Sequence, residues 1–175
     1  MEPKGSEPAP KTAPRPAAGP LRVLALAVQK GGTGKTTLAA SLAVAAAEAG
    51  EQVTALDLDP QGSLAGWGAL RKNDGRSDRA RDAVAVDRVQ PWEMGQLSEI
   101  LGILAEQGTT LAVRDTAGSA AGLAPALKDA DWVLMPVRPS RLDIVAARPT
   151  LQALVGLGLR ERLAGNLPAS GRAYD

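Results

Sequence analysis

Residues Leu24–Ala43 read LALAVQKGGTGKTTLAASLA, and the fold turns on this stretch. Leu21–Val28 is apolar almost throughout and runs straight into a glycine-rich loop, as expected of a strand buried on both faces. Thr36–Ala49 is rich in Ala and Leu, with Leu38 and Leu42 one turn apart and Gly50 as a stop, which predicts a helix. A glycine loop between a buried strand and a helix N-terminus is a phosphate-binding context, because backbone N–H groups and the helix dipole converge there. Gly31, Gly32 and Gly34 adopt backbone conformations that other residues resist, which lets amides approach phosphate oxygens. Lys30 and Thr33 complete the loop. Lys35 is placed to reach the β- and γ-phosphates as a point charge. Thr36 is placed to ligate Mg²⁺ through its hydroxyl, and Thr37 to make a further phosphate contact. ATP with Mg²⁺ at Lys30–Thr37 is therefore the expected ligand. The common pattern G-x-x-x-x-G-K-[ST] is not met, since Gln29 stands where its first glycine belongs and a second lysine, Lys30, follows. A chance glycine turn with a solvated lysine is the plain alternative. The common register of strand, loop, Lys-Thr pair and helix argues against it.

Outward from the loop the pattern alternates. Gln52–Leu58 reads as a second strand and Ser63–Leu70 as a helix. Arg71–Asp82, RKNDGRSDRARD, carries five basic and three acidic residues and reads as a solvated loop. Ala83–Val89 predicts a short strand, Trp92–Gln107 a helix, Thr109–Asp115 a strand, Ala120–Asp129 a short helix and Trp132–Val137 a strand. Leu142–Leu157 predicts a helix that Pro149 either kinks or restarts. Strands separated by helix-length segments pair in parallel through right-handed crossovers. The predicted class is thus α/β, a three-layer sandwich with a mainly parallel sheet. Residues 1–20 hold six of the thirteen prolines and read as a disordered leader. Residues 21–157 form the expected domain, and residues 158–175 an irregular tail without a strand.

Composition narrows the chemistry. The chain of 175 residues has 45% hydrophobic and 22% charged residues, ordinary for a soluble globular protein of one domain. It contains no Cys and no His, which excludes disulfides, thiolate or imidazole metal sites and imidazole catalysis. A net charge of +1 gives no global pull toward nucleic acid or membrane. Aromatics are 2%, so the core must come from Val, Leu, Ile and Ala, whose small side chains favour close helix–sheet packing. No apolar run approaches the ~20 residues of a membrane span, and the Leu21 stretch leads to a loop rather than a cleavage site. The expected location is the cytoplasm.

KGGTGKTT at Lys30–Thr37 resembles the deviant Walker A motif of the ParA/MinD ATPases. Asp57–Trp67, DLDPQGSLAGW, is similar to the D-x-D-P-Q-G-S block of ParA proteins. Ala130–Ala146, ADWVLMPVRPSRLDIVA, is similar to the family's strand and loop ending in P-V-x-P-S-x-x-D. The resemblance covers residues 21–157 and implies the P-loop NTPase fold of the ParA/MinD type. It implies that Lys30 acts in trans, reaching a partner's nucleotide in an ATP-dependent homodimer, with Lys30 and Lys35 neutralising the γ-phosphate. By the same match Asp59 positions the attacking water and Asp57 sits near Mg²⁺. A carboxylate at the carboxyl end of a parallel strand lies beside the ligand edge of such a sheet. The alternative for both acids is turn or helix capping around Pro60. LAVRDTAG, Leu111–Gly118, resembles the Walker B segment, with Asp115 holding magnesium through water. It departs from the family pattern at Arg114, where an apolar residue is usual, and at Ala117, where proline is common. A charge inside a central strand is costly unless paired.

The missing cysteines set aside the nitrogenase-like, iron–sulfur-carrier and arsenite-pump branches, and the lone Tyr174 the tyrosine-kinase branch. Pro168 and Gly171 break the basic membrane helix of MinD-like members. A ParA-type partitioning ATPase remains, with slow hydrolysis stimulated by a ParB-like centromere-binding or adaptor protein and with plasmid, chromosome or other cargo. The resemblance describes a C-terminally shortened member; non-specific DNA is a candidate partner and the nucleoid a candidate location. The competing readings are a degenerate nucleotide-binding regulatory module with little hydrolysis, and a metabolic ligase-like enzyme sharing only the loop.

Overall fold

The computed structural model describes residues 19–73, 83–120 and 122–165. Among them are six strands: β1 (Arg22–Leu26), β2 (Val53–Asp57), β3 (Val84–Arg88), β4 (Leu111–Asp115), β5 (Trp132–Met135) and β6 (Leu163–Gly165). They form one sheet in the order β3-β2-β4-β1-β5-β6, with every neighbouring pair parallel. The helices are α1 (Lys35–Glu48), α2 (Ser63–Asn73), α3 (Leu97–Glu106), α4 (Leu123–Leu127) and α5 (Arg141–Gly156).

Side chains alternate across each strand and so divide the core in two. Leu24, Leu26, Ala55 and Val113 face α1 and α2, while Val23, Ala25, Ala112 and Val133 face α3, α4 and α5. The layers are helix, sheet, helix, as the alternating sequence predicts. Helix α1 buries Ala39, Ala43 and Ala47, spaced one turn apart, against the sheet. The Leu38 and Leu42 stripe is only partly buried, so the alanines and not the leucines form the contact face. Methyl-sized side chains bring this helix close to the strands, and with it the loop that precedes it.

The structure corrects several boundaries. Helix α5 runs unbroken from Arg141 to Gly156 with Pro149 inside it. It neither restarts nor ends there, because Ala147, Thr150 and Leu154 on both sides of the proline are buried against the sheet. The expected irregular tail from Gly158 contains a 3-10 turn at Arg160–Arg162 and then β6, which pairs with β5 through Val133↔Leu163. Helix α2 continues to Asn73, three residues into the expected charged loop, whose residues 74–82 lie outside the described ones. The Trp92–Gln107 helix opens as a 3-10 turn, Pro91–Gln96, before α3. Of the expected disordered leader, residues 1–18 lie outside the described ones, as do residues 166–175 of the tail. Among the described residues no helix is long and apolar enough to cross a membrane.

Parallel register fixes what surrounds the loop. Leu26 at the end of β1 pairs with Asp115 at the end of β4, which pairs with Asp57 at the end of β2. Both acids therefore stand level with the exit of β1, at the carboxyl edge where open parallel sheets bind ligands.

Candidate phosphate-binding site

The chain leaves β1 at Leu26 and reaches α1 at Lys35 through the glycine loop. Gln29 N–H donates to the buried Thr150 Oγ1 at 2.8 Å, and Lys30 N–H to Val28 O at 2.8 Å, which fix the rising arm. Gly32 at φ 69° and Gly34 at φ 87° occupy the left-handed region, which a side chain resists. Gly34 precedes the first turn of α1, which has neither a side-chain cap nor an acidic residue. Its first amides keep their positive end for an outside acceptor. Gly118 supports the loop from below: a Cβ there would lie 3.3 Å from Lys30 C and O and 3.4 Å from Gly31 N.

The two lysines are held differently. Lys35 is buried, and its Nζ donates to Lys30 O at 3.2 Å, across the mouth of the loop. Lys30 places its Nζ 2.5 Å from Asp143 Oδ1 on the first turn of α5. Arg138 Nη2 reaches the same oxygen at 3.3 Å. These cations, Lys30 first, hold the Asp143 carboxyl below the usual carboxylate range.

The three candidate acids also differ. Asp115 is 1% exposed, and neither of its oxygens has a hydrogen-bond partner among the described residues. Its pKa is pushed up to about 6, chiefly by burial. The Thr36 hydroxyl, lying toward it without standard hydrogen-bond geometry, and Lys35 pull the other way; Asp57 and Asp59 add to the rise. Asp57 is fully buried with both oxygens engaged: Oδ1 accepts from Asp59 N at 3.1 Å and Oδ2 from Ala65 N at 2.8 Å, in the first turn of α2. Asp59 is half-buried, and its Oδ1 accepts from Gln61 N at 3.0 Å. The turn and capping roles open to these two acids are therefore realised in the structure. Asp57 fixes the start of α2 and the Asp59 loop together.

A magnesium ion fits these residues. A buried carboxylate without a hydrogen-bond partner among the described residues, beside a threonine hydroxyl, is a pair of hard oxygen donors suited to a small divalent cation. The buried Thr33 Oγ1 likewise has no partner among the described residues. Among the described residues no three acidic side chains gather around a metal position, so the ion would draw other ligands from phosphate and water, as magnesium does.

Arg114 finds partners that its sequence neighbours do not reveal. It is fully buried in β4 and donates from Nη1 to Ala126 O at 3.0 Å and Lys128 O at 2.6 Å. These are carbonyls at the end of α4, where helix C-termini offer unpaired acceptors. Burial lowers its pKa, and Asp129 and Asp131 counter that. Sequence reading did not assign roles to Gly118, Thr150 or Asp143. Gly118 and Asp143 lie within the quoted Walker B-like and P-V-x-P-S-x-x-D-like blocks, whereas Thr150 carries no sequence signal.

Residues 24–157 match the family model described as the CobQ/CobB/MinD/ParA nucleotide binding domain. The maintenance of carboxysome distribution protein A of Gloeobacter kilaueensis is 35% identical over 136 residues, 77% of this chain and 57% of that protein. The chromosome partitioning protein ParA of Caulobacter vibrioides is 61% identical over 46 residues, 26% of this chain and 17% of that protein. This chain thus spans less than two thirds of the length of either relative. Among solved structures, a plasmid partition protein of Borrelia burgdorferi bound to AMPPNP superimposes with TM-score 0.68 at 18% identity, over 84% of this chain and 75% of that one. At that identity the likeness is one of fold.

Proposed function

This chain belongs to the CobQ/CobB/MinD/ParA nucleotide-binding family, and we propose that within it the chain is a partitioning or positioning ATPase. It binds ATP at Lys30–Thr37 and dimerises on ATP. It hydrolyses ATP slowly to ADP and phosphate under the control of a ParB-like or adaptor protein, and so positions plasmid, chromosome or other cargo. The observation that carries this reading is the pair of lysines in one loop beside the unpartnered Asp115. Bound magnesium would supply positive charge to neutralise the phosphates.

The chain's own residues do the rest. The amides of Gly31–Thr37 wrap the phosphates, and Lys35 exchanges Lys30 O for a phosphate oxygen. Thr36 and Asp115 would hold the cation, with Asp57 near it. Asp59 keeps one oxygen free of its Gln61 contact to orient water. Lys30 brings its charge to a nucleotide across the dimer. Charge placed beforehand where the transferring phosphoryl group needs it is the main catalytic resource for this reaction.

A second reading, a nucleotide-binding regulatory module with little hydrolysis, is favoured by the backbone contacts that occupy Asp57 and Asp59. Chain mass in ADP against a non-hydrolysable ATP analogue, with turnover measured with and without DNA and partner, tests the first reading against the second. A dimer specific to the analogue, with turnover that the partner raises, is the expected result. ATP-dependent dimerisation without turnover would favour the module.

A further inference from the structure

We propose that Arg114 is a positioning residue for the phosphate loop: its side chain fixes the end of α4 to β4 and so holds Thr116–Gly118 against Lys30 and Gly31. Its effect on nucleotide rests on the reading above that Lys30–Thr37 bind ATP. Arg114 sits in β4, in register with Ala25 of β1 and Leu56 of β2. Successive side chains on a strand point to opposite faces, so Asp115 turns toward Lys35 and Thr36, and Arg114 toward α4. There its Nη1 donates to Ala126 O at 3.0 Å and to Lys128 O at 2.6 Å. The chain thus leaves β4 at Asp115, passes under the phosphate loop, forms α4, and is tied back to its starting point by the Arg114 side chain.

The connection touches the site twice before α4. Thr116 Oγ1 donates to Leu26 O at 2.7 Å, at the exit of β1. Gly118 lies so close to the loop that an added Cβ would come within 3.3 Å of Lys30 C and O. The far end of the connection is set by α4, which packs through the buried apolar side chains Leu123, Ala126 and Leu127. Apolar contacts have no direction, so a helix of five residues held by them alone is free to slide. The two bonds from Arg114 are directional and stop it. Asp129 and Asp131, in the turn that follows, are engaged by Ser98 Oγ at 2.6 Å and Val23 N–H at 2.7 Å. Arg114 Nε and Nη2 have no hydrogen-bond partner among the described residues, so the buried cation contributes placement more than stability.

Arg114→Met, which keeps an apolar stem but no donor, tests this in the full chain. Arg114→Lys, which keeps a cationic donor, is the second variant. The first readout is amide hydrogen exchange of the nucleotide-free protein, resolved by NMR. The amides of Thr116, Ala126 and Lys128, bonded to Leu26 O, Gly122 O and Ala124 O, should exchange about tenfold faster in Arg114→Met, while those of Leu38 and Ala49 at the two ends of α1 keep the wild-type rate. The second readout is calorimetric affinity for a non-hydrolysable ATP analogue with Mg²⁺, expected to fall roughly three- to tenfold in Arg114→Met and less in Arg114→Lys. A freed segment can retreat from an added methyl group. Arg114→Met should therefore add little to the loss caused by Gly118→Ala, and the two losses should not multiply. Wild-type exchange at the three amides, or faster exchange spread evenly over α1 with affinity unchanged, overturns the proposal. Multiplication of the two losses in the double variant overturns it as well. If Arg114→Met does not fold, Arg114→Lys carries the same test, with smaller changes in the same direction. A wild-type chain that binds no analogue overturns the proposed function, and the exchange readout then still decides whether Arg114 positions Thr116–Gly118.

Discussion

Gly68→Ala is the perturbation whose size the structure sets most directly. Gly68 is buried on the inner face of α2, and an added Cβ would lie 2.6 Å from Val86 Cβ, 2.8 Å from Cγ2 and 3.0 Å from Cγ1. Carbon atoms rest at roughly 3.5–4.0 Å, so the helix must retreat by about 1 Å or the strand must yield. Val86 has little freedom, being β-branched and paired in register with Ala55 of β2. Overpacking of this kind costs about 1–3 kcal/mol. Replacing a helical glycine by alanine returns up to about 1 kcal/mol. The net expectation is a loss of about 1–2 kcal/mol, or a fall in Tm of roughly 3–6 °C for a domain of this size. Urea or thermal unfolding measures it. In the Val86→Gly background all three clashing carbons are gone, and the same substitution should become neutral or stabilising, a coupling of about 1–2 kcal/mol. Because Ala65 N in α2 is bonded to Asp57, a displaced helix should slow turnover more than it weakens nucleotide binding. A Gly68→Ala protein as stable as wild type, or an unchanged penalty in the Val86→Gly background, would refute the packing argument.

Two further substitutions probe the site. Gly118→Ala places a methyl group 3.3 Å from the Lys30 carbonyl and should weaken ATP binding about three- to tenfold with little change in fold, as judged by calorimetry and circular dichroism. Asp115→Asn should stabilise the metal-free protein in a pH-dependent way. The Asp115 pKa is raised from 3.8 to about 6, so the folded state favours the protonated acid; its penalty is absent below about pH 4 and complete above pH 6. The variant should match wild type near pH 4 and exceed it by about 1–3 kcal/mol at pH 7, while the magnesium dependence of ATP binding is lost. A variant less stable than wild type at pH 7 would mean that the carboxylate has a partner after all.

The parts of the fold that were legible in sequence are those governed by local rules. Buried parallel strands are near-continuous apolar runs, so β1, β2, β4 and β5 could be placed from Val, Leu and Ala alone. The loop was legible because glycine, lysine and threonine types carry its chemistry in order. Helix α1 was found but its inner face was not. A helix with alanine on every side has no apolar stripe to read, and the sheet selects Ala39, Ala43 and Ala47. Strand β6 is three residues, too short to show a period, and it exists through its pairing with β5. Pro149 was read as a kink or a fresh start; the fresh start does not occur, because buried neighbours on both sides keep α5 one helix. At the site, position along the strands put Asp57 and Asp115 beside the loop, whereas what each acid touches depends on tertiary contacts. The partners of Arg114 are carbonyls at the end of α4 and that of Asp143 is Lys30, both supplied by tertiary contacts that neighbouring residues do not announce.

The account stands on residues 30–37 holding a triphosphate with Lys35 as the inner cation. Titration of ATP and Mg²⁺ into the wild-type chain and into Lys35→Ala, by isothermal calorimetry, tests this most directly. Saturable one-site binding that weakens about 100-fold or more in Lys35→Ala is the predicted result. No binding to the wild-type chain, or equal binding to both proteins, would contradict it.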